Sequence, residues 1–155
     1  MPPDPVDIPH VIAPPPLIYA VPLLIGLIVQ HFYPKNILPQ TWAQVVGPVL
    51  VLLGFVGLPA VLAFRRAGTP PQPWKPVTSL VVSGPYRFTR NPMYVGFTLL
   101  YVGISVWVNA LWPIAMLPIV LVVMKRGVVD REEAYMMRRF GDEYRSYCAR
   151  VRRWV

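Results

Sequence analysis

The sequence predicts an all-α integral membrane protein with about four transmembrane helices, forming two hairpins of which the second is short, followed by a cytoplasmic C-terminal helical segment. Three observations predict it. The 155 residues are 55% hydrophobic and only 14% charged, too apolar for an ordinary soluble domain of this size. The apolar residues gather into runs that span or nearly span a bilayer. Of fifteen lysines and arginines, all but Lys35 fall in two blocks, residues 65–90 and 125–153, and the positive-inside rule assigns both blocks and both termini to the cytoplasm.

Residues 1–16, "MPPDPVDIPHVIAPPP", lack the basic start of a secretory signal and are too proline-rich to begin a helix, so they read as an extended or disordered lead-in. Residues 17–155 then form a single membrane domain. Its first hairpin, 17–64, pairs an apolar run from Leu17 to Tyr33 with a second from about Val45 to Phe64, stopped by Arg65 and Arg66. The connection at 65–92 is rich in proline and glycine, and too long to be a plain linker in a compact domain. The second hairpin, 93–124, is interrupted at "NALWP", where Asn109 and Pro113 suit a turn. At ~1.5 Å per residue each arm reaches about 24 Å, short of a ~30 Å hydrocarbon core, so local thinning or a partly submerged hairpin is expected.

Residues 125–155 carry Met136, Phe140, Tyr144, Tyr147 and Val151 at spacings of three and four, the mark of an amphipathic helix. Gly141 is expected to break it, with Asp142 capping a second short helix.

The net charge of +8 does not indicate nucleic acid, because the basic residues border apolar spans instead of forming a soluble basic face. Cys148 is the sole cysteine, which excludes an intrachain disulfide and a Cys/His metal cluster. His10 and His31 stand alone.

Two blocks carry candidate chemistry. In the tail, Glu132, Met136 and Phe140 lie four apart on one helix face, so a carboxylate sits at the membrane-proximal end of the apolar stripe. A carboxylate there requires a partner or a cationic ligand. Glu133 points about 100° away. A purely structural reading pairs Glu132 with Arg87, Arg90 or Arg126. In the loop block, "SGPYRFTRNPMYVG", Asn91-Pro92 reads as a helix start, and Arg87 and Arg90 beside that N-terminus favour an anion. The bland alternative is capping by Asn91 and headgroup contact by the arginines. Together the blocks suit a zwitterion, such as S-adenosylmethionine. NADPH would use the basic half and leave Glu132 idle.

"LVVSGPYRFTRNPMYVG" with the downstream "REEAYMMRRFGDEYRSYCARV" resembles the superfamily of isoprenylcysteine carboxyl methyltransferases and phospholipid methyltransferases, over residues 78–151. The resemblance implies S-adenosyl-L-methionine as cofactor, bound by the loop, the short hairpin and the C-terminal helices rather than by a Rossmann fold. By motif matching it implies that Thr78, Ser79, Leu80, Val81 and Tyr86 line the cofactor, and that Asn91, Pro92, Met93, Tyr94 and Glu132 complete its site. Glu132, Tyr94 and Arg90 are the catalytic candidates, and Arg126 and Arg131 the candidates for substrate contact. Asn91 stands where the carboxyl methyltransferases carry histidine, and "NPMY" looks more like the phospholipid N-methyltransferase version. The arginine that the prenylcysteine enzymes use four residues before the matched glutamate falls here on Val128. The implied acceptor is lipid-like or a small hydrophobic molecule.

Two other classes fit parts of the pattern. A membrane reductase of the sterol reductase type, using NADPH, carries a similar R-H-P-x-Y motif, and a non-catalytic scaffold would use the basic blocks to hold anionic lipid.

Overall fold

The computed structural model describes residues 8–154, among which all regular structure is helical. Helix α1 spans Pro15–Phe32, α2 Gln40–Gly54, α3 Gly57–Arg66, α4 Pro92–Trp107, α5 Leu111–Met124 and α6 Asp130–Arg150. A 3-10 turn covers Gly84–Arg87, and a π-helical turn, Lys125–Val129, joins α5 to α6. The lead-in expected over residues 1–16 lies outside the described residues for 1–7. Residues 8–14 are irregular, but they are fastened: Ile12 donates its N–H to the carbonyl of Gly127 at 3.1 Å.

Among the described residues, three helical stretches are long and apolar enough to cross a membrane: Pro15–Phe32, Gln40–Arg66 and Leu111–Arg150. Within the last, the apolar part ends where the charges begin at Lys125, before the start of α6. Helix α4 is apolar but has only 16 residues. Three of the helical stretches therefore reach spanning length, and α4 is a shorter apolar helix beside them. The second run starts earlier than its apolar pattern suggests, at Gln40, and is divided at Phe55 and Val56 between Gly54 and Gly57.

Helices α2 and α4 pack through an antiparallel seam of glycines seven apart: Gly47 and Gly54 on one, Gly96 and Gly103 on the other. A Cβ on Gly103 would lie 2.6 Å from the Val51 nitrogen, and one on Gly96 would lie 2.7 Å from the Gly54 carbonyl oxygen. Small residues let backbones approach where lipid offers helices no hydrophobic drive to associate. Helix α1 packs on α5, where Tyr19, Tyr101, Val120, Met124, Val128 and Val129 form a buried cluster.

The hairpin loops meet at the far end of the bundle through Asn109, which adopts φ +54°. Its amide oxygen accepts from the N–H groups of Ile37 at 2.9 Å and Leu38 at 3.1 Å. Its NH₂ donates to Leu38 O at 2.8 Å and to Gln40 Oε1 at 3.1 Å. The turn expected at residues 109–113 is thus shorter: Pro113 sits in the first turn of α5, where its missing N–H costs nothing.

Helix α6 is two helices across a kink at Gly141, which adopts φ 51° and ψ −120°, a conformation open to glycine at little cost. The carboxylate of Asp142 pairs with Arg145 at 2.7 Å.

Candidate functional site

The loop block and the tail block meet at one end of the bundle. Three backbone and side-chain donors of the stretch before α4 reach carbonyls beyond α6: Arg90 N–H to Arg152 O at 3.0 Å, Thr89 Oγ1 to Arg153 O at 3.0 Å, and Asn91 Nδ2 to Arg153 O at 3.0 Å. Between the blocks lies a cavity that encloses about 720 Å³ of space, open solvent included. The 65–92 connection supplies one wall through Pro70, Pro71, Pro73, Val77, Leu80 and Val81. Its folding explains its composition: the prolines hold an extended path, and Thr69 Oγ1 accepts the N–H of Thr78 at 2.9 Å to close the loop on itself.

Helix α4 adds Met93 and Tyr94, and α6 adds Glu132, Glu133, Tyr135, Met136, Tyr144 and Tyr147. Tyrosine hydroxyls stitch these walls together. Tyr147 donates to Tyr86 O at 2.7 Å, and Tyr135 accepts the N–H of Val77 at 3.1 Å.

The charged residues lining the cavity are Arg90, Glu132 and Glu133. Tyr94 donates to Glu132 Oε1 at 2.7 Å. Glu132 is partly buried, and its burial pushes the carboxyl from 4.5 up to about 7, against the Tyr94 hydrogen bond, which lowers it, and with the Glu133 charge, which raises it. Burial, and then the charge of Glu132, push the Tyr86 hydroxyl far above its ordinary value, so it stays protonated. Among the described residues, the buried side-chain atoms without a hydrogen-bond partner are Gln30 Oε1, Tyr86 OH and Arg90 Nε. Two of these belong to residues lining the cavity. Buried polar groups are seldom left unpaired in native structures, which makes these two atoms candidates for contact with a ligand.

Of the residues matched by motif, Leu80, Val81, Tyr86, Asn91, Met93, Tyr94 and Glu132 line the cavity, as does Arg90. Thr78 and Ser79 do not. Their hydroxyls donate to Gly68 O at 3.3 Å and Ala67 O at 3.0 Å, which ties the loop to the end of α3. Pro92 is buried as the first residue of α4, and does not line the cavity. Arg126 is exposed and Arg131 donates to His10 O at 2.7 Å, so neither reaches the cavity.

Two local expectations are corrected. Asn91 occupies the N-cap position of α4 but makes no side-chain cap, because its amide is committed to Arg153 O. Glu132 forms no ion pair with Arg87, Arg90 or Arg126. It is Glu133 that pairs, with Arg90 at 3.4 Å and with Arg153. Sequence reasoning missed Pro9, Phe64, the proline wall and Glu133. The Glu-Glu doublet was the available signal for Glu133, discounted by helix angle although the cavity is wide enough to meet both faces.

A family model described as phospholipid methyltransferase matches residues 42–143. An uncharacterised protein of Haemophilus influenzae is 36% identical over 64 residues, which cover 41% of this chain and 100% of that relative. No solved structure matches.

Proposed function

The chain belongs to the phospholipid methyltransferase family, and from that premise we propose that it transfers a methyl group from S-adenosyl-L-methionine to a lipid-like or small hydrophobic acceptor. The observation that carries the reading is the meeting, in one cavity, of a carboxylate not engaged in an ion pair, Glu132, with the Arg90 guanidinium and the unpartnered Tyr86 hydroxyl. These groups suit a ligand that bears both a cation and an anion. Leu80, Val81, Met93 and Met136 supply apolar and polarisable surface for its remaining parts.

When bound, the cofactor supplies an electrophilic methyl on a sulfonium, which passes to the acceptor as the carbon–sulfur bond breaks and a neutral thioether leaves. The protein's task is alignment and exclusion of water. Glu132 would hold positive charge, and Arg90 and Tyr86 would hold the anionic end. Tyr94 fixes the Glu132 carboxylate in place. An amine acceptor must shed a proton before attack, and Glu132, poised near neutrality, is the group in the cavity able to take it. A carboxylate acceptor needs no base.

Residues 17–155 act in this reading as one unit, with the loop and tail blocks on the cytoplasmic side. A lipidic acceptor would approach through the bilayer beside the short α4. Family membership does not favour the reductase or the scaffold.

Tritium-labelled S-adenosylmethionine binding to the purified protein tests the proposal. Competition by S-adenosylhomocysteine and not by NADPH is expected, and the reverse order would overturn it. Mass spectrometry of a membrane lipid extract incubated with protein and cofactor then distinguishes a methylated amine from a methyl ester.

A further inference from the structure

Arg153 is not part of the cavity wall, yet it pairs with two carboxylates in the first turn of α6. Its guanidinium donates to Glu133 through Nε at 3.2 Å and through Nη2, and to Asp130 Oδ1 through Nη1 at 2.9 Å. Its carbonyl oxygen is held by Thr89 and Asn91. One residue therefore joins the approach to α4 with the first turn of α6, and it grips the carboxylate next to Glu132.

We propose that Arg153 is a positioning residue that takes Glu133 out of competition, so that Glu132 alone presents a carboxylate to a cationic ligand. The proposal rests on reading the cavity as the S-adenosylmethionine site, and it adds a residue that touches no ligand. Its physical basis is the proximity of two carboxylates on adjacent residues of one helix. Unpaired, they repel, and each holds its proton longer. The titratable groups that line the cavity with Glu132, besides Arg90, are Tyr94 from α4, Tyr86 from the 3-10 turn, and Glu133, Tyr135, Tyr144 and Tyr147 from α6. Arg90 is the one cation among the cavity-lining residues, and it contacts Glu133 at 3.4 Å. That contact is longer than the Arg153 pair, and the same guanidinium also donates to the Cys148 sulfur. Asp130 is shared between Arg153 and Lys125, the latter at 3.2 Å. With Arg153 removed, Glu133 would keep only Arg90, and its charge would fall on Glu132.

The test reads Glu132 without any ligand. Carbodiimides modify protonated carboxyls in apolar sites, and peptide mass mapping gives labelling of Glu132 as a function of pH. The parent should show half-labelling near pH 7, where burial sets the Glu132 carboxyl at about 7. In Arg153→Met the midpoint should rise by about half a unit or more, and Arg153→Lys should restore most of the parental value. Adding Glu133→Gln to Arg153→Met should return the midpoint to or below that of the parent. Glu133→Gln alone, which leaves the fold its arginine, should lower it.

A midpoint unmoved in Arg153→Met, or one not restored by Glu133→Gln, overturns the proposal. If Arg153→Met fails to fold, an unmoved midpoint in Glu133→Gln does the same. Binding of S-adenosylhomocysteine to the same variants separates the two readings. Labelling that follows the prediction in a parent that binds no S-adenosylhomocysteine would sink the cofactor assignment and leave the role of Arg153 standing.

Discussion

The Tyr94 hydroxyl donates a 2.7 Å hydrogen bond to Glu132 Oε1, joining the first turn of α4 to the first turn of α6 across 38 residues of sequence. The bond joins the two halves of the motif into one constellation and opposes the effect of burial on the Glu132 carboxyl. Because it favours the ionised carboxylate, Tyr94→Phe should raise the Glu132 midpoint and weaken S-adenosylmethionine binding most below neutrality. Loss of a hydrogen bond to a charged group costs about 1.5–3 kcal/mol, roughly a ten- to hundredfold change in affinity at most. Calorimetric titration at several pH values checks it.

Glu132→Gln keeps the shape of the side chain and the ability to accept from Tyr94. It removes the charge. Binding of S-adenosylmethionine should fall by about tenfold or more while the detergent-solubilised protein remains monodisperse, since a neutral amide is no counter-ion for a cation. Equal affinity in the two proteins, measured by equilibrium binding, would contradict the assigned role.

Glu132 also predicts two opposite pH dependences. Its folded value, about 7, lies above its unfolded value of 4.5, so its contribution to stability is fully present below pH 4.5 and is lost as pH rises through 7. Affinity for a cationic ligand runs the other way, rising as the carboxylate ionises and levelling above about pH 8. Thermal unfolding and ligand binding across this window, each compared with Glu132→Gln, check the two signs. The variant should flatten both curves.

Asn91→His keeps an N–H able to reach the Arg153 carbonyl, whereas Asn91→Leu does not. The histidine variant should bind S-adenosylmethionine within about threefold of the parent. The leucine variant should lose about 1–3 kcal/mol of stability, because two backbone-held segments part and a buried carbonyl loses a donor. Melting temperatures in detergent, with binding isotherms, decide between them.

Gly103→Leu should prevent α2 and α4 from closing. A side chain there meets the Val51 backbone, which cannot retreat as a flexible side chain would. Loss of the monodisperse species on size exclusion is expected, and a stable, ligand-binding variant would contradict the seam.

Much of this was legible in the sequence because it is written in local chemistry. Proline at position 92, glycine at 141 and the Met136, Phe140, Tyr144, Tyr147 stripe each act within a few residues, and each stands where its pattern places it. The seam was not legible, since glycines seven apart matter only when a second helix with the same spacing lies antiparallel to the first. Asn91 misled for the same reason. An asparagine before a helix is locally a cap, and only a partner 62 residues away diverts its amide. Thr78 and Ser79 follow their motif yet turn toward Gly68 and Ala67, contacts that no spacing within residues 78–94 encodes.

The tie between the residues before α4 and the Arg153 carbonyl bears on biosynthesis. Every residue of both hairpins and of the glycine seam precedes residue 153 in the order of synthesis. Until that residue is added, Glu133 and Asp130 lack their shared guanidinium, and Thr89 and Asn91 lack the carbonyl they hold. A chain ended before residue 153 should therefore keep its helices and lose the tie between the approach to α4 and the first turn of α6.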